Sequence, residues 1–141
     1  MIQLQLRDGT RIAYERFGRS GAPPALLLDG ISCDGFIWPH LRPFLAERFD
    51  VIHAHYRGHG QSGLPRDMTA LTVGHLVEDI HELLDHLDIT DALVLSHSMG
   101  VQVTLELAAR HPERVGAGVL LCGASGRLLD TFKETDLGMK I

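Results

Sequence analysis

The sequence predicts an α/β fold: a mostly parallel sheet with helices on both faces, opened by an antiparallel hairpin. Three observations carry this prediction. Short continuous apolar runs alternate with longer segments whose apolar residues recur at helical spacing. Residues 2–18 instead hold two runs of period two around Asp8-Gly9, a hairpin turn signal. Small residues gather where an apolar run gives way to a helix, at the carboxyl ends of the strands where such sheets bind ligands.

Each element follows in order. IQLQL (2–6) and TRIAYERFG (10–18) form the hairpin, and Gly18 to Pro24 is a loop. ALLLD (25–29) is a strand covered on both faces. From Trp38 to Arg48 the residues Trp38, Leu41, Leu45 and Phe49 are spaced for one helical face. DVIHAHY (50–56) is the next, more polar strand, and the glycine-rich stretch from Tyr56 to Asp67 is a loop. Leu76, Ile80, Leu83, Leu84 and Leu87 then lie on one stripe of a helix, with Glu78, Asp79, Glu82 and Asp85 on the face expected to be wet. DALVLS (91–96) is a buried strand, 99–110 a helix ended by His111-Pro112, and VGAGVLLCGA (115–124) the last strand. Parallel neighbours are joined by right-handed crossovers. No repeat, low-complexity tract or second domain interrupts this pattern.

A chain of 141 residues with 45% hydrophobic and 22% charged content is a single globular domain. A net charge of -5 without basic clusters or stacking aromatics argues against nucleic acid and anionic lipid as partners. No apolar run reaches the length of a membrane span, and the charged N-terminus lacks a signal peptide's apolar core. Cys33 and Cys122, without a C-x-x-C pair, suit a reducing cytoplasm.

Chemistry concentrates in Ser96-His97-Ser98-Met99-Gly100. The segment lies where strand becomes helix, and small residues at 96 and 100 let backbones pass closely in a tight turn. Ser98 then stands at the top of the sheet, the arrangement of a nucleophile elbow, with Ser96 in place of the usual first glycine. The plainer reading of Ser98 is an ordinary helix cap. His53, His55 and His59 could assemble a zinc site with Asp29 or Asp34, since 53 and 55 share a strand face. A strand inside the sheet turns that face toward a covering helix, so neither metal nor cofactor is expected. Gly58-x-Gly60 lacks a P-loop's lysine.

Three motifs together resemble the α/β-hydrolase family: SHSMG, ALLLDGISCDGFIW and YRGHGQS (56–62). The resemblance implies Ser98 as nucleophile of an ester or lactone hydrolase, with the backbone N–H groups of Met99 and Ile31 as oxyanion hole. Asp29, Gly30, His97, Gly100, Arg57 and His59, with Gly58, Gly60 and Ser62, shape the site. Asp29 departs from the family, which has histidine there; a carboxylate beside a developing oxyanion must point away, be neutralised, or weaken the hole. The family's histidine and acid follow later strands, so the resemblance implies a single truncated domain, residues 1–141, with about six strands and without lid or C-terminal strands. Asp130, Glu134 and Asp136 read as a solvated tail. The expected partner is a second copy, through the edge of strand 115–121 or exchange of the C-terminal segment. A dimer would bring a partner histidine equivalent to His40, His75 or His111 toward Ser98; the alternatives are a silent half-domain or a metal-dependent hydrolase.

Overall fold

The structure, a computed structural model, describes residues 1–124. Six strands form one sheet in the order β1-β2-β4-β3-β5-β6. β1 (Ile2–Gln5) and β2 (Arg11–Gly18) are the predicted hairpin, closed by Gly9 and by Asp8, whose carboxylate accepts from the Thr10 N–H at 2.8 Å. β2 also pairs antiparallel with β4 (Asp50–Ala54), and β4, β3 (Pro24–Leu28), β5 (Ala92–His97) and β6 (Val115–Leu121) are mutually parallel. Four strands are shorter at their C-terminal ends than the sequence predicts: Leu6, Asp29, His55 and Tyr56, together with Cys122 to Ala124, lie in loops.

Alternation sorts the strand residues onto two faces. Leu26, Leu28, Ile52, Ala54 and Val94 pack under α2 (Val73–His86) and α3 (Met99–Arg110), against Leu76, Ile80, Leu83, Val103 and Leu107. Ala25, Leu27, Val51 and Leu95 face the other side, where Trp38 and the short α1 (Arg42–Ala46) cover them. The predicted helix over 38–48 is therefore one turn and a half. Pro39 disfavours helical geometry at Trp38, and Pro43 sits at the first turn, where a missing N–H costs nothing.

One side-chain expectation on α2 fails. Asp79, assigned to the wet face, is 2% exposed and pairs with Arg57, itself 3% exposed. Its distance in sequence from Leu76 and Leu83, three and four residues, already puts it beside the apolar stripe. No described helix is long and apolar enough to cross a membrane.

Candidate active site

Ser98 joins β5 to α3 with φ 53° and ψ −117°, a backbone conformation that costs a non-glycine residue strain. Its N–H donates to the Leu121 carbonyl at 2.9 Å, so the turn is anchored on the end of β6. The hydroxyl is not spent on capping α3, whereas Thr72 caps α2 by accepting from the His75 N–H. The cap reading of Ser98 thus gives way to an elbow geometry. Gly100 makes the elbow possible: a Cβ there would lie 2.5 Å from the Leu28 carbonyl oxygen and 2.8 Å from that of Asp29. Ser96, fully buried, shows that the offset before the serine tolerates a small side chain.

Ser98 opens onto a cavity of about 330 Å³ with mostly apolar walls, lined by Ile31, Val73, Met99, Gln102, Cys122 and the chain just beyond it. Met99 is the first residue of α3, where backbone N–H groups have no intrahelical acceptor and the helix end carries positive potential. Ile31 comes from the loop after β3, so the two residues expected to flank the serine share its cavity. Gly30 packs closely against both Ser98 and the His97 ring; a Cβ at Gly30 would meet the Ser98 Cβ at 3.0 Å and His97 Nδ1 at 3.1 Å.

Asp29 points away from this cavity. Its carboxylate is 1% exposed, accepting from the Trp38 indole N–H at 2.6 Å and lying 2.8 Å from His53 Nε2. Of the options open to a carboxylate at that position, the fold turns it away and gives it partners. Arg57 and His59 do not line the cavity. Arg57 holds Asp79 through Nε at 2.6 Å and through Nη2, and lies 3.0 Å from Asp8. His59 Nδ1 is 3.0 Å from the Arg57 carbonyl, and its ring stands edge-on to Tyr56 at 5.9 Å. Ser62 ties the same loop to β2, accepting from the Ala13 N–H at 2.8 Å and donating to the His55 carbonyl at 2.7 Å.

Among the described residues no imidazole is hydrogen-bonded to Ser98. His75 lies 2.8 Å from the Thr72 hydroxyl, and His111 stacks on His81 at the far end of α3. His81, His111 and Glu113 have ligand atoms near one another. Their two rings are 3.6 Å apart and within 8° of parallel, so in-plane lone pairs do not converge on one ion. His53, His55 and His59, weighed as zinc ligands, are engaged with carboxylates and backbone instead. Asp130, Glu134, Asp136 and the C-terminal exchange lie outside the described residues.

Sequence reasoning missed Val73, Gln102 and Cys122 as cavity walls. Gln102, four residues after Ser98, shares its helical face, and Cys122 follows a strand's carboxyl end; both signals were present. Val73 carries no local signal, because only packing of α2 brings it there.

The profile for the alpha/beta hydrolase fold matches residues 23–141. A protein of Mycobacterium phage D29 that carries a non-heme haloperoxidase name is 40% identical over 127 residues, 86% of this chain and 43% of the relative. Among solved structures, a hydrolase from Pseudomonas aeruginosa aligns with TM-score 0.79 at 29% identity over 94% of this chain and 50% of the other. The enol-lactonase of Burkholderia xenovorans aligns with TM-score 0.74 at 30% identity, covering 81% of this chain and 44% of the other. The chain spans about half the length of the relatives it matches.

Proposed function

Since the chain belongs to the α/β-hydrolase fold family, we propose that it carries the nucleophile half of a serine hydrolase acting on carboxylic esters or lactones. The single observation behind this reading is Ser98: strained at a strand-to-helix elbow, free of capping duty and open to an apolar cavity. In the proposed step Ser98 Oγ attacks the substrate carbonyl carbon, a base takes its proton, and the N–H groups of Met99 and Ile31 receive the oxyanion. Collapse expels the alcohol and leaves an acyl-enzyme, which water then hydrolyses. The apolar wall of Val73, Met99 and Ile31 suits an aliphatic acyl group.

The base and its acid partner come from outside residues 1–124, from further chain or from a second copy. By itself the site is a weak esterase, with rate enhancement of about 10³–10⁴ over water from binding and the oxyanion hole. A cytoplasmic location belongs to the same reading, because Cys33 and Cys122 are both free. The exposed edge of β6 favours a second reading, in which the fold is catalytically silent and associates with another chain.

Turnover of p-nitrophenyl acetate by the parent chain and by Ser98→Ala tests the proposal, together with intact-mass detection of a fluorophosphonate adduct. Turnover and adduct in the parent, both abolished in Ser98→Ala, are expected. Equal turnover in the two proteins removes Ser98 as nucleophile; absence of both signals from the parent favours the silent reading.

A further inference from the structure

The loop that carries Ile31 is fastened at three points to His53 of β4 and to His55 just after it. At its start, the Asp29 carboxylate accepts from the Trp38 indole at 2.6 Å and sits 2.8 Å from His53 Nε2. Near its middle, Gly35 (φ 96°) lies flush on the His53 ring, where a Cβ would be 2.5 Å from Cε1. The Asp34 carbonyl is 3.2 Å from His55 Nε2. His55 Nδ1 accepts from the Gln61 N–H at 2.9 Å, which leaves the ring's hydrogen on Nε2 to donate to Asp34. The other nitrogen of His53 lies 3.2 Å from Glu15 Oε1, and Glu15 is in turn gripped by Arg42 of α1. His53 thus has a carboxylate at each ring nitrogen and links β2 to the start of this loop.

We propose that His53, which does not touch the cavity, is a positioning residue for the candidate site: by holding Asp29 it fixes the loop that brings the Ile31 N–H toward Ser98. This rests on the Ser98 reading for its consequence, though not for its geometry. The departure at position 29 thereby acquires a role. A carboxylate turned into the β4 side of the loop, paired with His53 and Trp38, anchors the backbone of Gly30 and Ile31 without presenting its charge to the cavity.

Trp38 is the chain's one tryptophan, and its N–H donates to Asp29, so its fluorescence reports on this anchor without any activity. The test compares the parent with His53→Gln, whose amide reaches Asp29, and His53→Asn, whose amide stops short. Trp38 emission and acrylamide quenching are read under native conditions, alongside the rate of fluorophosphonate labelling of Ser98. Expected for His53→Asn are a red shift, easier quenching and a loss of about 10-fold to 100-fold in labelling rate, as for a displaced oxyanion donor. His53→Gln stays close to the parent in all three. A folded His53→Asn with unchanged emission, quenching and labelling overturns the proposal, as does a His53→Gln no better than His53→Asn. Should His53→Asn not fold, His53→Gln against Gly35→Ala, which pushes on the same ring, gives the same comparison. A parent that labels nowhere sinks the Ser98 reading, while the Trp38 signals still decide this one.

Discussion

His55 ties the packing of the loops after β3 and β4 to pH. Burial, and then the neighbouring His53, hold it below the ordinary histidine value of about 6.5. In the folded protein the ring stays neutral at pH values where the unfolded chain already binds a proton. The stability this supplies is complete above about 6.5 and declines as pH falls through the lowered folded value. Protonation also removes the lone pair that accepts from Gln61, which explains the direction structurally. The urea midpoint of the parent should therefore fall more steeply between about pH 7 and about pH 5 than that of His55→Gln. Parallel curves would remove His55 from this role. At the same scale, Ser98 is legible in sequence because an elbow demands small residues at fixed offsets. The partners of His53 are not legible. Alternation shows that 53 and 55 share a face, but Glu15 meets His53 only through the β2–β4 register, which no local pattern encodes.

Elements were the more legible scale, since period and punctuation set helices and strands locally, and their order is as the alternation predicts. What periodicity misjudged is how polar groups attach elements to one another. Asp79 on α2, Arg57 after β4 and Asp8 in the hairpin turn meet in one cluster that joins three segments distant in sequence. Burial pushes the Asp79 carboxyl above its ordinary value, against the pull of Arg57. Such a pair is stabilising mainly in that neither charge can be left alone. Removing one partner, Asp79→Ala, should cost about 3–5 kcal/mol, because it strands the buried guanidinium. Asp8 is 45% exposed, so Asp8→Ala should cost only about 0–1 kcal/mol. Urea unfolding followed by circular dichroism measures both; equal losses would mean that Asp8 shares the neutralisation of Arg57 equally with Asp79 and would overturn this assignment. The same cluster explains why the loop after β4 holds its shape while contributing no wall to the cavity.

At the scale of the whole molecule the two faces and the two edges of the sheet are not equivalent. α2 and α3 seal one face, while the other rests on Trp38, α1 and the loop between β3 and α1. Asymmetry is sharper at the edges. β1 belongs to a tight hairpin, whereas β6 pairs only with β5 among the described residues and exposes Gly116 to Leu120, with Val119 and Leu120 at 41% and 46%. Its seven residues extend about 23 Å at a parallel strand's rise, a row of backbone donors and acceptors with no strand beside it on one side among the described residues. Burying Val119 and Leu120 side chains against another strand adds an apolar gain that water cannot match. The edge also lies beside the site, since the Leu121 carbonyl holds the Ser98 N–H. A strand added here would therefore stiffen the elbow as well as cover the sheet. For the 141-residue chain the proposed occupant is the β6 of a second copy, giving a closed, twofold-related pair rather than a filament. Native mass spectrometry at micromolar concentration should show a dimer, and Val119→Lys, which places a charge on the exposed edge, should return monomer. A parent that runs as a clean monomer ends this idea, and a dimer indifferent to Val119→Lys places the contact elsewhere on the molecule.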